Sequence, residues 1–160
     1  MKVKIILGSK SDLEVGKKAA KVLDDLVIDY HMTVSSAHRT PEKTKELCDD
    51  EETEVFIAVA GLAAALPGVV AAHTAKPVIG VPVSGRMNLD SLLSIVQMPP
   101  GIPVATVGMN RGDNAAILAG EILAVKYEKI GDRLEKYREN RKQKVFKDAE
   151  EVEDEFSRGD

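Results

Sequence analysis

Five short apolar runs, at residues 3–7, 28–34, 55–60, 77–83 and 103–107, alternate with segments whose apolar residues recur at helical spacing. The run at 55–60 is apolar at every position, and that at 3–7 is interrupted only by Lys4. Strands of this kind need cover on both faces, because neither side offers a polar surface to water. Helical segments between such strands place that cover above and below a parallel sheet. Right-handed crossovers then favour an α/β three-layer sandwich, a doubly wound five-stranded sheet in the order 2-1-3-4-5, the flavodoxin-like arrangement.

The helical segments support this order. Val15, Ala19, Val22, Leu23 and Leu26 share one face of a helix over 12–26, with lysines between them. Pro41 suits the first turn of a helix that carries Leu47. The alanine-rich stretch 62–74 reads as a helix restarted at Pro67-Gly68, and 89–97 as a short one. Asp113 or Asn114 can cap a helix with an Ala115, Leu118, Ala119, Ile122, Leu123 stripe. The pattern changes after 125. Residues 126–160 hold ten basic and eleven acidic side chains, yet Tyr127, Ile130, Leu134 and Tyr137 keep helical spacing. The expected organisation is therefore an α/β catalytic domain over 1–125 and a helical extension over 126–147. The narrow stripe of that extension suits either its own domain or a neighbouring subunit, and the neighbour is the reading adopted. An acidic tail over 148–160 is expected to fray or be disordered.

Composition excludes several functions. A net charge of −4 and a pI near 5.5 give no basic footprint for nucleic acid. Cys48 is the single cysteine, so neither a disulfide framework nor a thiolate metal cluster is expected, and no His, Asp and Glu grouping suggests a metal. No apolar stretch reaches the ~18 residues of a membrane span, and no signal-like segment precedes the first strand. A cytoplasmic location follows as the expectation.

In a doubly wound sheet, ligands bind outside the carboxyl ends of the strands, where strand order reverses. Three loops meet there: Gly8-Ser9-Lys10-Ser11-Asp12, the turn from Ser35 to Pro41, and the stretch from Ala60 to Gly68. Helix-opening amides and the Ser9 and Ser11 hydroxyls suit an anion, and Asp12 suits ribose hydroxyls or a helix cap. Arg39 offers a forked cation for phosphate. His38 carries a proton that moves near neutral pH, and serines, an arginine and a proline surround it at a strand's carboxyl end. His31 and His73 lack such company and read as structural. The glycine- and alanine-rich third loop allows backbone close to a flat ring, or simply close helix–sheet packing.

Six ordered motifs carry a resemblance: Gly8-Ser9-Lys10-Ser11-Asp12, Ser36-Ala37-His38-Arg39-Thr40-Pro41, Leu66-Pro67-Gly68, the stretch from Asp90 to Pro99, that from Gly101 to Ala105, and Asn114-Ala115-Ala116. Together they resemble the catalytic subunit of the phosphoribosylaminoimidazole carboxylase family of purine biosynthesis, whose bacterial members act as N5-carboxyaminoimidazole ribonucleotide mutases. The resemblance runs in register from about residue 3 to residue 125. It implies a homo-octamer, with no metal, nucleotide or biotin cofactor, that acts on a small ribonucleotide and carbon dioxide. It implies that Ser9, Asp12 and Arg39 bind the ribonucleotide and that His38 is the catalytic acid–base, with Ser36 and Ala37 beside it; Ser11, Gly61 and Leu62 complete the expected substrate-binding set. Ala65 stands where many bacterial mutases have histidine, Leu62 where they have glycine, and the 83–90 loop is shorter. These departures bear on the choice between a mutase and direct carboxylation of aminoimidazole ribonucleotide by free carbon dioxide. A receiver-type signalling module would need an aspartate after the third strand, where Gly61 stands, and a flavin carrier would need aromatic residues in the site loops. A non-catalytic ribonucleotide-binding module is the remaining rival of another class.

Overall fold

The computed structural model describes residues 2–85 and 88–157. β1 (Val3–Leu7) and β3 (Val55–Ala60) are buried at every position, as continuous apolar strands must be when helices cover both faces. They form the centre of an all-parallel sheet with β2 (Tyr30–Val34), β4 (Val78–Pro82) and β5 (Ala105–Thr106), in the order β2-β1-β3-β4-β5. Alternation along each strand sorts the core into two layers. Val3, Ile5, Leu7, Val55, Ile57 and Val59 pack with α1 (Leu13–Asp25), α5 (Gly112–Ala124) and the start of α6 (Glu128–Phe156). Ile6, Phe56, Ala58 and Ala60 pack with α2 (Pro41–Cys48), α3 (Leu66–Ala72) and α4 (Asn88–Val96). Each fully buried isoleucine or phenylalanine contributes ~1.5–3 kcal/mol. On the first face α1 and α5 approach so closely that a Cβ on Gly112 would collide with the Val15 carbonyl.

The elements expected from sequence are present, with shifted ends. β2 begins at Tyr30 rather than 28, because the chain first closes α1. The Ile28 amide donates to the Leu23 carbonyl at 2.9 Å and the Val27 amide to Asp24 at 3.0 Å, the paired bonds of a Schellman turn. Val27 takes the left-handed position, φ 52°, normally given to glycine. β5 is two residues long rather than five, a short edge strand. α3 starts at Leu66 rather than 62, because Leu62 and Ala64 adopt φ of 55° and 40°, which no helix accommodates.

The carboxy-terminal extension begins against the chain's own domain. Ile130 and Leu134 are buried in the chain's own core, so the stripe is spent on its own domain in the first turns of α6. The helix then continues through Phe156, across the segment expected to fray. Its Glu, Lys, Arg and Gln residues are strong helix formers even without a packing partner. The last tail residues, 158–160, and positions 86 and 87 of the shortened loop lie outside the described residues.

Polar groups at the amino ends of the strands form a network. Lys4, 4% exposed, places its ammonium 2.7 Å from Asp50 and donates to the Leu47 carbonyl at 3.0 Å. Lys2 and Lys126 each reach Glu54 at 3.1 Å, and the Tyr127 hydroxyl donates to the same carboxylate at 2.8 Å. The Lys2 ammonium also lies 3.4 Å from the centroid of the Tyr127 ring. This cluster fastens the entry to α6 onto β1 and the start of β3.

Candidate active site

The order β2-β1-β3 brings the loops that follow the first three strands to one end of the sheet. They enclose a cleft of about 530 Å³. Its walls include Ser9, Ser11 and Asp12 from the first loop, Ser36, Ala37, His38 and Arg39 from the second, and Gly61, Leu62 and Ala65 from the third. Every site residue expected from sequence therefore lines this one cavity.

The first loop is a short 3-10 turn, Lys10–Asp12, leading into α1. Ser9 and Asp12 form a reciprocal capping box. The Ser9 amide donates to Asp12 Oδ2 at 2.9 Å, the Ser11 amide to Ser9 Oγ at 3.3 Å, and the Ser11 hydroxyl to Asp12 Oδ1 at 3.2 Å. These amides are thus engaged within the loop rather than left open to an anion. Asp12 is 6% exposed, and burial pushes its carboxyl above the ordinary value, with the Ser11 and Ser9 hydrogen bonds holding it partly down. Gly8 has no positive φ, and a Cβ there would make only ordinary contacts, the nearest at 3.5 Å to the Val59 carbonyl. Close turning is not what this glycine supplies. It leaves the cleft side of the loop open.

The second loop separates two adjacent serines by role. Ser35 is 1% exposed, and its hydroxyl lies 2.8 Å from that of Thr44, which ties the turn to α2. Ser36 faces the cleft, and its Oγ accepts from the Arg39 amide and from Arg39 Nε, both at 3.3 Å. Arg39 Nη2 also donates to the Gly8 carbonyl at 3.4 Å, so the guanidinium bridges the first and second loops. Thr40 braces the turn through its hydroxyl, which accepts from the Ser36 amide at 3.0 Å. His38 is exposed at the tip, and among the described residues no hydrogen bond or ion pair restrains its ring. It stands in the same cavity as the serines and Asp12, free to meet a ligand.

The third loop has no ionisable side chain. Leu62 is 81% exposed while holding a left-handed backbone, a combination that costs roughly 1–2 kcal/mol for a non-glycine residue. Strain of this kind concentrates at ligand clamps and active sites. The Val83 amide donates to the Ala60 carbonyl at 2.9 Å, and the buried Ser91 hydroxyl donates to the Val83 carbonyl at 3.0 Å, which places the next loop alongside.

Sequence reasoning missed a bracket just behind this wall. Asn110, at φ 58°, accepts from the Ser84 amide through Oδ1 at 2.9 Å and donates through Nδ2 to the Ser84 hydroxyl at 2.7 Å. An asparagine between the last strand and its helix was the available signal, since asparagine tolerates left-handed backbone better than most residues.

A family model described as AIR carboxylase matches residues 2–144. The chain belongs to the AIR carboxylase family. It is 56% identical over 153 residues to the N5-carboxyaminoimidazole ribonucleotide mutase of Methanocaldococcus jannaschii, covering 95% of this chain and 98% of that one. It is 60% identical over 146 residues to the mutase of Pyrococcus abyssi, covering 88% and 84% respectively. The crystal structure of Treponema denticola PurE superposes with a TM-score of 0.82 at 30% identity, over 98% of both chains. Of the motifs that suggested this AIR carboxylase family member from sequence, the first two and Leu66 of the third line the cleft.

Proposed function

We propose that this chain is an N5-carboxyaminoimidazole ribonucleotide mutase, which moves a carboxyl group from the exocyclic nitrogen to ring C4 in de novo purine synthesis. One observation carries the reading beyond family membership. An unrestrained imidazole, a bridged guanidinium, serine hydroxyls and a buried carboxylate share a single cleft. Arg39 binds the 5′-phosphate with the Ser9, Ser11 and Ser36 hydroxyls beside it. Asp12 accepts from the ribose hydroxyls, and Ala37, Gly61 and Leu62 flank the base.

The chemistry balances on one proton. Protonated His38 gives its proton to the exocyclic nitrogen as the N–C bond of the carbamate breaks. Carbon dioxide and aminoimidazole ribonucleotide result. The electron pair of C4 attacks the retained carbon dioxide and forms the new C–C bond. Neutral His38 then takes the C4 proton, which restores aromaticity and returns the imidazole to its starting state. Retention of carbon dioxide beside C4 is a proximity effect, and it requires the cleft to be covered during turnover. No metal or organic cofactor takes part. The enzyme acts in the cytoplasm as a homo-oligomer, an octamer by family resemblance.

The test offers the carbamate substrate and, separately, aminoimidazole ribonucleotide with bicarbonate. A mutase turns over the first far faster. Faster turnover of the second would assign direct carboxylation, the alternative that the Leu62 and Ala65 departures in the cleft wall leave open. Turnover of neither would leave a ribonucleotide-binding module.

A further inference from the structure

The third site loop, built of Gly61, Leu62 and alanines, has no polar side chain with which to fix its own position. Its placement against a substrate must come from what stands behind it. Val83 is that backing. Its amide continues the β3–β4 ladder by donating to the Ala60 carbonyl at 2.9 Å. A Cβ built on Gly61 would lie 3.5 Å from both the Cβ and the carbonyl oxygen of Val83, so the two loops touch.

The end of β4 is itself poorly served by the sheet. Pro82 has no amide and can offer only its carbonyl. On the edge side, β5 stops at Thr106, and the Val107 amide, donating to Gly80 at 3.2 Å, makes the last bond of that ladder. Asn110 takes over from there. Its amide donates to the Pro82 carbonyl at 2.8 Å. Its Oδ1 accepts from the Ser84 amide at 2.9 Å, and its Nδ2 donates to the Ser84 hydroxyl at 2.7 Å. Its own carbonyl accepts from Lys18 on α1 at 3.3 Å. One residue thus joins the end of β4, the connection that follows it, and the helix into which the first site loop leads. Ser84 is exposed and Asn110 half-buried, and hydrogen bonds open to water add little net stability. Asn110 also holds a left-handed backbone, φ 58°, of the kind kept where geometry matters more than stability.

We propose that Asn110 is a positioning residue for the carboxyl transfer. Through Ser84 and Val83 it sets the Ala60-Gly61-Leu62 wall where released carbon dioxide stays beside C4. Asn110 does not line the cleft, so it acts through the wall alone. The inference rests on the mutase reading and extends it to a residue outside the cleft. With the wall out of place, the first half of the reaction still runs. The N–C bond breaks, His38 gives its proton to nitrogen, and aminoimidazole ribonucleotide and carbon dioxide form. The carbon dioxide then leaves before C4 attacks it, and neutral His38 recovers a proton from water. Lost positioning therefore shows as uncoupled release of carbon dioxide.

The experiment follows both products from the carbamate substrate in wild type, Asn110→Gly and Asn110→Asp. Glycine accepts the left-handed backbone and keeps both backbone bonds, so it removes the side chain alone. Aspartate keeps both contacts to Ser84 by accepting from its amide and from its hydroxyl. The quantity read is aminoimidazole ribonucleotide released per C4-carboxylated product, corrected for spontaneous decarboxylation. Asn110→Gly is expected to raise that ratio about tenfold, with KM changed less than about twofold. Asn110→Asp is expected to bring it back to within about threefold of wild type. A merely structural role would lower both products together, so an unchanged ratio in Asn110→Gly overturns the proposal at any level of activity. A raised ratio that Asn110→Asp fails to lower also overturns it. Ser84→Ala removes the hydroxyl partner alone and should raise the ratio about threefold. It decides the question if the glycine variant does not fold. If wild type converts only aminoimidazole ribonucleotide with bicarbonate, the mutase reading fails while Asn110 is still tested. Asn110→Gly should then raise the KM for bicarbonate about tenfold, and an unchanged KM would overturn the role assigned to Asn110.

Discussion

At the amino ends of the strands, Lys2, Lys4, Asp50, Glu54, Lys126 and Tyr127 satisfy one another, whereas at the carboxyl ends His38, Arg39 and the serines line an open cleft. The carboxylates register the difference. Lys4 bonded to Asp50 holds that carboxyl at about 2, with help from Thr53 and Glu52 against some desolvation. Burial pushes Glu54 up, yet hydrogen bonds from Tyr127, Lys126 and Lys2 outweigh it and hold that group at about 2 as well. Asp12 at the other end has no cationic partner among the described residues and is raised by burial. One end spends its charges on stability, and the other leaves them lining an open cleft at some cost to the fold. The backbone tells the same story, since Leu62 and Ala64 put left-handed non-glycine residues in the cleft wall.

The comparison breaks most sharply at His38. Replacement by asparagine is expected to lower kcat by ~10²–10⁴-fold with little change in KM, because a proton carrier is lost and a binding group is not. Steady-state rates with the carbamate substrate decide it, and near wild-type turnover would remove His38 from the chemistry.

Asp50→Asn should do the reverse. It strands the buried Lys4 ammonium and is expected to cost ~3 kcal/mol in urea denaturation, with kcat unchanged. Acid probes the same pair without mutation. The folded-state values of Asp50 and Glu54 lie below their ordinary 3.8 and 4.5, so their contribution is complete above about pH 4.5 and lost as pH falls toward 2. Urea midpoints across that window should fall more steeply in wild type than in a Glu54→Gln variant.

Asp12 carries the opposite sign. Its folded-state value is raised, so the charged carboxylate costs stability at neutral pH, and that cost disappears on acidification. Asp12→Asn should therefore raise the Tm at neutral pH while raising KM, a pairing that distinguishes a ligand group from a simple cap. Leu62→Gly should give the smallest effect. Relief of the left-handed strain is worth about 1 kcal/mol in urea denaturation, less the entropy that glycine adds to the unfolded chain. A loss of stability there would mean that the leucine side chain packs on something the isolated chain does not contain.

Much of this molecule was legible in a single sequence. Continuous apolar strands between amphipathic helices require a covered parallel sheet, and crossover handedness orders it, so the three site loops follow from topology. The side chains of Ser9, Asp12, Ser36, His38 and Arg39 could be singled out because they gather at the strand carboxyl ends where the topology places a ligand, although capping gives Ser9 and Asp12 a second reason to be there. Burial and partnership were beyond that reach. Ser35 and Ser36 look alike in a string, and only the pleat sends one hydroxyl to Thr44 and leaves the other facing Arg39. The amides of the first loop looked available until the capping box engaged them. Asn110 meets Ser84 across two separate strand-to-helix connections, a pairing no local pattern encodes. Periodicity reports which face of an element is apolar, but contacts between distant residues depend on how elements pack. That packing also exposes the acidic half of α6 and hides its first turns, which is why one helix both completes a core and extends beyond it.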